Sequence, residues 1–297
     1  MTLESFVKAN FGEDKLTELL NIRRGGDSNS KGSAYEEFFA VASIIKVAAN
    51  ETNLGDFEIS AQELAFVDDL IIRQISTKAK TNYQLKNSSG SPANWDDTIS
   101  ERFEFQYRLD TDFHHWSQSM QFLVVPCPEK AASNKAKIPL SLRGKADCEV
   151  FPYKSNCYEL ITGAPELRID LTNICHSNDL HVLDTAFKHV LCVWIGNNQT
   201  QLVSEIIAEA EKIAKPNVFK REDRELRWLN VKVSSFQNMG IHVEFGHFVV
   251  SYMGLEVTVG PNFEEPGIDT LTSLSTAELF MKFLMKTMQT ELNDDGK

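Results

Sequence analysis

The chain has 297 residues, of which 42% are hydrophobic and 24% are charged, and it is long enough for one large domain or two small ones. Its formal net charge of −12 is the wrong sign for a dedicated nucleic-acid binder, because contacts with phosphate dominate that kind of affinity. No apolar run reaches the roughly 18 residues that span a bilayer, and the N-terminus lacks the basic and then apolar pattern of a secretion signal. We therefore expect a globular, cytoplasmic protein with no membrane contact.

The cysteines argue against two kinds of site. There are five of them, at irregular spacings and without a C-x-x-C pair. An odd number fits no complete disulfide framework, and no two pairs have the spacing of a structural zinc site. We expect free thiols.

The first fifty residues predict helices. Apolar residues between Leu3 and Ile22 recur at the spacing of one or two short helices, and Arg23–Ser30 has the composition of a flexible linker. A further helix is predicted to run to about Ala49. Its expected N-cap is Ser33, and Glu36, three residues later, would complete a capping box. Alternatively, Glu36 reaches the next strand as a metal ligand.

Two strands joined by a basic, Thr/Lys-rich turn are predicted next. The first, Phe66–Ile72, is apolar except for Asp68 and Asp69, and burying a carboxylate is costly unless it is paired or holds a metal. Side chains of the second strand alternate between faces, so Gln84 and Lys86 project together. We therefore expect a carboxylate-bearing strand beside a Gln-x-Lys strand.

The middle of the chain predicts a helix from Trp95 to Leu109 and a buried strand from Phe122 to Val125. The polar segment Glu129–Lys137 predicts a mobile loop and the best internal boundary. Three parts are expected: an N-terminal helical segment and linker at 1–30, a core at 31–130, and a C-terminal α+β region at 131–297 that could be continuous with the core.

The C-terminal part mixes both periodicities. Leu191–Ile195 predicts a buried strand, Asn197–Asn198 a turn, and Gln199–Ala214 an amphipathic helix. Four β-rich runs separated by glycines predict an antiparallel meander: Trp228–Val233, Ile241–Phe245, Phe248–Tyr252 and Leu255–Val259.

A last helix is predicted to open at a capping box that begins at Ser275 and to run to about Leu292. It is apolar around most of its circumference and must therefore be buried somewhere. We favour packing inside its own domain. The alternative is an interface with partner subunits or with a second copy of the chain, because methionine-rich surfaces adapt well to other proteins.

Basic residues gather in two windows despite the acidic total. Leu70–Lys86 contains four basic residues and no acid, and Pro128–Lys154 contains six against three acids. A basic surface on an acidic body can hold a duplex, although a lysine is most often a solvated surface residue. The candidate nucleic-acid-binding residues are Lys78, Lys80, Arg143 and Lys145.

The predicted strand pair contains the parts that metal-dependent phosphodiester cleavage needs. That reaction requires oxygen ligands for Mg²⁺, an activated water and a cation near the scissile phosphate. Asp69 offers a carboxylate, Gln84 offers a neutral carbonyl oxygen, and Lys86 offers the cation on the same face.

Three short motifs in this order resemble those of a known superfamily. They are Gly-Ser-Ala-Tyr-Glu at 32–36, Val-Asp-Asp-Leu-Ile-Ile at 67–72 and Tyr-Gln-Leu-Lys at 83–86. Together they resemble the PD-(D/E)XK nucleases, in particular the Q-x-K variant of bacterial anti-phage effector nucleases, and the preceding helix is similar to that of archaeal Holliday-junction resolvases. The resemblance covers residues 31–109, a third of the chain.

This resemblance implies a restriction-endonuclease-like mixed sheet flanked by helices. It also implies a metal site for Mg²⁺ or Mn²⁺ and a catalytic lysine, Lys86. The residues that it assigns to the metal are Asp69, Gln84 and Glu36, with Asp68 and Glu37 as neighbouring candidates.

Gln84 departs from the family pattern, in which most members have Glu or Asp at this position. An amide lowers the negative charge of the site and should weaken metal binding, which Glu36 could offset. A different interpretation is that Asp69 and Lys86 simply form a cross-strand ion pair.

We therefore expect a Mg²⁺-dependent endonuclease that acts on double-stranded DNA, and the resemblance implies that it is the effector subunit of an anti-phage complex. Two alternatives stay open. One is a non-catalytic, nuclease-like scaffold that binds DNA or a partner protein, and the other is a site-specific restriction endonuclease.

Overall fold

The computed structural model describes residues 2–25, 30–88, 93–196, 200–220, 227–244, 247–259, 270 and 273–294. The chain forms two compact units, 1–215 and 216–297, so the boundary expected near residue 131 falls inside the first unit. The expected α/β class is confirmed, because a six-stranded mixed sheet flanked by helices is followed by a separate three-stranded antiparallel sheet.

The first unit contains helices on both sides of its sheet. The described helices are α1 (Leu3–Phe11), α2 (Glu13–Gly25), α3 (Ser30–Asn50), α4 (Asp97–Arg108), α5 (Pro128–Lys135), α6 (Cys157–Gly163), α7 (Pro165–Ile174), α8 (Leu180–Gly196) and α9 (Val203–Ile213). The described strands are β1 (Phe57–Ser60), β2 (Leu70–Gln74), β3 (Ala79–Leu85), β4 (Gln118–Val125), β5 (Ala146–Val150) and β6 (Gln201–Leu202). None of the helices in the described part of the chain has the length and apolar character needed to cross a bilayer.

The sheet of the first unit has the strand order β5-β4-β3-β2-β1-β6. Strands β1, β2 and β3 pair antiparallel, and β4 and β5 continue the sheet parallel to β3. On one face, Phe39 of α3 packs edge to face on Tyr83 of β3. On the other face, Phe103 of α4 and Ala131 of α5 share an apolar core with Leu123 of β4. Because side chains alternate along β3, the even-numbered residues of this strand face α4.

The predicted strand pair around the basic turn is confirmed as β2 and β3, with one correction. Strand β2 begins at Leu70 and not at Phe66, because the residues before it form no ladder with β3. Phe66 packs instead in an apolar cluster with Phe6, Val7 and Leu19 of the two N-terminal helices. The expected N-terminal segment is therefore part of the first unit.

A buried polar network lies between α4 and the sheet. Its centre is Asp110, in a π-turn at Leu109–Phe113 that continues α4. One carboxylate oxygen of Asp110 accepts from Lys80 Nζ at 2.5 Å, and the other accepts from Asn82 Nδ2 at 2.8 Å and Ser119 Oγ at 2.6 Å. Burial lowers the pKa of Lys80, although the charge of Asp110 opposes that shift.

Two helix predictions in the first unit need correction. Helix α3 begins at Ser30, so Ser33 is not its N-cap and Glu36 completes no capping box. Of the predicted linker, residues 26–29 lie outside the described part of the chain. The predicted loop Glu129–Lys137 is wrong because α5 occupies most of it, with Ala131 and Asn134 buried.

Two predicted strands, one in each unit, are helices in the structure. Leu191–Ile195 belongs to α8, whose earlier buried residues recur at helical spacing; a short apolar run by itself does not separate a strand from a buried helix. The predicted turn Asn197–Asn198 lies outside the described residues. The predicted helix near Gln199–Ala214 is confirmed as α9, with Gln201–Leu202 forming an edge strand before it.

In the second unit, Trp228–Val233 lies in helix α10 (Arg227–Ser234), so the first of the four β-rich runs is not a strand. The other three are confirmed as the antiparallel order β7-β8-β9. Their described bounds are β7 (Met239–Glu244), β8 (His247–Tyr252) and β9 (Leu255–Val259).

The last helix, α11 (Ala277–Asp294), is confirmed. The N–H of Leu279 donates to Thr276 Oγ1 at 3.3 Å, which places the cap one residue after Ser275. Phe280, Met281 and Leu284 are buried in a cluster with residues of the second unit. These side chains therefore pack inside their own unit, as favoured from the sequence.

The buried ion pair predicts a large stability effect. We expect Lys80→Met to destabilise the protein by about 3–5 kcal/mol, because it leaves the Asp110 charge buried without its cation. Lys135→Met, which removes the exposed pair with Asp147, is the matched control and should change stability little. The measurement is urea unfolding of both variants, and equal stabilities would contradict the structural role of Lys80.

Candidate metal centre

Asp69 immediately precedes β2, and extending the β2–β3 register by one pair sets it opposite Gln84. Its Oδ2 atom accepts hydrogen bonds from Gln84 Nε2 and from the backbone N–H of Leu85, both at 2.5 Å. The N–H of Lys86 donates to Val124 O at 2.9 Å, which ties the end of β3 to β4. The strand with the Gln-x-Lys pattern therefore holds the Asp69 carboxylate in one orientation.

Both donors to Asp69 use the same oxygen, so Oδ1 is engaged by neither of them. In this arrangement Gln84 acts as a hydrogen-bond donor to Asp69, and its other amide atom, Oε1, is the one that a metal could bind. Gln84 is buried, at 7% exposure, whereas Asp69 is half-buried.

Glu36 reaches this site from the second turn of α3. Its pKa is raised to about 7, first by burial and then by the negative charge of Asp69, while a hydrogen bond from Gln62 and the charge of Lys86 act in the opposite direction. Glu36 therefore lies within electrostatic range of Asp69, and its predicted role as a metal ligand stays a prediction.

Asp68 adds a third carboxylate. Burial and then the charge of Asp69 raise its pKa to about 7, against the lowering effect of Arg102. Burial also raises the pKa of Asp69 itself, although the Leu85 N–H and Lys86 stabilise its charged form. Burial thus destabilises the ionised forms of all three carboxylates, and the charge of Asp69 adds to this effect at Glu36 and Asp68.

The segment that leads to Asp68 has an unusual backbone. Gln62 has φ 54°, a left-handed conformation that few non-glycine residues adopt. Its N–H donates to the carbonyl oxygen of Asp68 at 2.7 Å, and its side chain bonds to Glu36. Gln62 therefore links two of the three carboxylate residues.

Arg102 and Gln62 are contributors that the sequence did not reveal. Arg102 lies on α4, and its Nε donates to Glu18 Oε1 of α2 at 2.9 Å while its charge lowers the pKa of Asp68. Arg102 is distant in sequence from Glu18 and Asp68, and Gln62 is distant from Glu36. No local sequence motif marks such pairs.

The predicted nucleic-acid-binding residues do not lie beside these carboxylates. The predicted role of Lys80 in binding nucleic acid is wrong, because its side chain is 4% exposed and pairs with Asp110. Lys78 is exposed in the turn before β3, about 20 Å from the Gln84 end of that strand at the usual rise per residue. Arg143 and Lys145 precede β5 at the same end of the sheet as Lys78.

Lys145 also has a contact of its own. Its Nζ lies 4.2 Å from the centroid of the Tyr107 ring, close enough for a cation–π interaction. Arg143 is exposed. Of the four predicted contacts, Lys78 and Arg143 are thus the most available to a phosphate, at the end of the sheet away from Asp69.

A metal ion would need ligands beyond carboxylates here. Among the residues that the structure describes, no group of three His, Cys, Asp or Glu side chains has the arrangement to hold a metal ion. Mg²⁺ commonly uses only one or two carboxylates and completes its shell with waters and substrate phosphates. Asp69 Oδ1, Glu36 and the Gln84 amide oxygen fit such a sparse oxygen site in their chemistry.

A cavity of about 450 Å³ lies elsewhere in the first unit, between α3, α7 and the sheet. Tyr83, Glu149 and Asp170 are among its lining residues. Burial raises the pKa of Glu149, and the charge of Lys46 opposes the shift. The residues of the candidate metal centre do not line this cavity.

No protein-family model matches this chain, and neither curated proteins nor solved structures provide a significant match. The resemblance to PD-(D/E)XK nucleases therefore stays a prediction. The geometry of Glu36, Asp68, Asp69, Gln84 and Lys86 is what defines the site.

The raised pKa of Glu36 predicts how stability depends on pH. Because the native pKa of about 7 exceeds the ordinary value of 4.5, the folded state binds more protons between these values, and stability should fall as pH rises through that interval. Glu36→Gln should make this slope shallower and stabilise the protein at pH 8. Asp68 shifts in the same direction, so part of the slope should remain.

The measurement is thermal unfolding from pH 5 to pH 8 without divalent cations. Glu129→Gln, which removes an exposed carboxylate from α5, controls for the loss of one charge. A Glu36→Gln variant with the wild-type slope would show that Glu36 is not held in this charged environment.

Proposed function

We propose that this chain is a Mg²⁺-dependent endonuclease that hydrolyses phosphodiester bonds in double-stranded DNA. The observation that supports the proposal is the group of three carboxylates, Glu36, Asp68 and Asp69, beside a lysine and an amide where β2 begins and β3 ends. Their raised pKa values mean that the ionised group is destabilised. A divalent cation would relieve that repulsion, and perturbed pKa values of this kind occur at functional sites.

Each residue has a separate part in this proposal. Glu36, Asp69 Oδ1 and the Gln84 amide oxygen are the ligand candidates, and Mg²⁺ bound there supplies an activated water and stabilises charge on the phosphate. The Gln84 and Leu85 N–H groups keep the Asp69 carboxylate oriented. Lys86 places positive charge within range of Asp69 and Glu36, where it can stabilise charge that develops on the scissile phosphate.

A role as the effector subunit of a bacterial anti-phage complex is part of the proposal, and it rests on the resemblance to the Q-x-K nucleases. The second unit is the proposed region for binding partner subunits or a second copy of the chain. We place the proposed contact at the turn between β8 and β9, where Met253 and Leu255 are 78% and 53% exposed.

A non-catalytic scaffold is the second candidate, and one observation favours it. Gln84 occupies the position at which most PD-(D/E)XK members have a second carboxylate, so its pair with Asp69 across β2 and β3 joins an amide and an acid rather than two acids. Lower negative charge weakens the attraction for Mg²⁺. Such a protein would bind DNA or a partner without cleaving it.

The endonuclease proposal predicts which residues plasmid cleavage requires. Asp69→Ala and Lys86→Ala should each lower Mg²⁺-dependent nicking of supercoiled plasmid by about 10²-fold or more. The first removes a proposed metal ligand, and the second removes the cation placed where charge develops on the phosphate. Chelation by EDTA should abolish nicking by the wild type. Lys212→Ala, on the exposed face of α9 and outside both basic windows, is the matched lysine control.

The assay should use the full chain, with its natural partners when they are known. Equal nicking by wild type, Asp69→Ala and Lys86→Ala would reject the assigned site. DNA binding without cleavage, with an affinity that falls steeply with salt, would favour the scaffold.

The amide at position 84 makes a further prediction. Gln84→Glu should lower the melting temperature of the metal-free protein, because a carboxylate would then face Asp69 without a donor hydrogen. Mn²⁺ should raise the melting temperature of this variant more than that of the wild type, because the added charge strengthens metal binding. Differential scanning calorimetry with and without Mn²⁺ measures both effects, and equal Mn²⁺ shifts would argue against metal binding at this position.

A further inference from the structure

The segment between β1 and β2 contains two backbone donors that no strand satisfies. Phe66 and Val67 are fully buried and lie just before Asp68. Their N–H groups both donate to one acceptor, the Gln106 Oε1 atom of α4, at 2.8 and 3.3 Å. A single side-chain oxygen thus takes the place that a neighbouring strand would have.

Gln106 is itself fixed at its other end. It is 0% exposed, and its Nε2 donates to Asp110 Oδ1 at 2.8 Å. Asp110 is in turn bonded to Lys80 of β3 and Ser119 of β4. The Gln106 amide therefore has its donor committed to a group anchored in the sheet and its acceptor committed to the segment before the carboxylates.

We propose that Gln106 is a positioning residue that sets the place of the Asp68–Asp69 pair through the backbone of Phe66 and Val67. The chain between Val67 and Asp69 contains a single intervening residue, so a shift at Val67 passes directly to the carboxylates. Asp69 is then held from both sides, by Gln106 before it and by the β3 donors Gln84 and Leu85 across from it.

The consequence for metal affinity rests on the proposed function, whereas the structural link does not. Groups behind the metal ligands orient them, and loss of such a group commonly weakens metal binding by about 10- to 100-fold. The hydrogen bonds of Gln106 go to Phe66, Val67 and Asp110, so it would act through the backbone.

The experiment compares Gln106→Met with Gln121→Met in the full chain. Methionine approximates the length of glutamine and removes both hydrogen-bonding atoms. Gln121 is an equally buried glutamine of the same network, but its Nε2 donates to Ser119 Oγ at 2.7 Å and not to the 66–67 segment.

The first readout is backbone amide hydrogen exchange at Phe66 and Val67, without metal. We expect both amides to be protected in the wild type and to exchange at least about tenfold faster in Gln106→Met. Gln121→Met should retain the wild-type rates at these two amides. If Gln106→Met does not fold, the wild type and Gln106→Asn decide the question. Unprotected Phe66 and Val67 amides in the wild type would overturn the proposal. Wild-type protection equal to that of β2, together with its loss in a folded Gln106→Asn variant, would support it.

The second readout is Mn²⁺ affinity by titration calorimetry. Gln106→Met should weaken binding about 10- to 100-fold in the wild-type background and have no further effect in Asp69→Asn, whereas Gln121→Met should leave the affinity unchanged. Unchanged affinity with accelerated exchange would overturn the link to the metal centre. A wild type that binds no Mn²⁺ through Asp69 would reject the proposed function, while the exchange rates alone would decide whether Gln106 holds the segment.

Discussion

The buried carboxylate of Asp110 is the constraint on which the arrangement of the first unit depends. A charge in the interior must be surrounded by donors, and here the donors come from β3, β4 and α4: Lys80, Asn82, Ser119 and Gln106. Because buried ion pairs often contribute little net stability, the value of this network lies in placement. It fixes α4 against the sheet, and through Gln106 it holds the backbone that precedes the Asp68–Asp69 pair.

Two groups of charged residues in the first unit are balanced in opposite ways. Asp110 has a buried cation, Lys80, at 2.5 Å. The Glu36, Asp68 and Asp69 group has Lys86 and Arg102 within electrostatic range, yet all three carboxylates keep raised pKa values. This contrast separates Asp110, which has a cation in direct contact, from the three carboxylates of the candidate site, whose pKa values stay raised.

Local sequence patterns predicted correctly those elements whose pattern fits only one kind of secondary structure. Side-chain alternation indicated β3, glycines separated the three strands of the meander, and an apolar run closed by two prolines indicated β4. Leu191–Ile195 and Trp228–Val233 were misassigned because a short apolar run fits a buried helix equally well. Helix α5 was missed because its polar composition hid two inward-facing residues, Ala131 and Asn134.

The sequence by itself determined which side chains are grouped at the end of the β2–β3 pair. Asp69, Gln84 and Lys86 could be grouped because antiparallel pairing and a side-chain period of two are local rules. Only the tertiary structure decided that Lys80 is buried, that Arg102 approaches Asp68, and that Gln106 supports the segment before it. Those contacts join residues that are distant along the chain, and they arise from how α4 packs on the sheet, which no local period encodes.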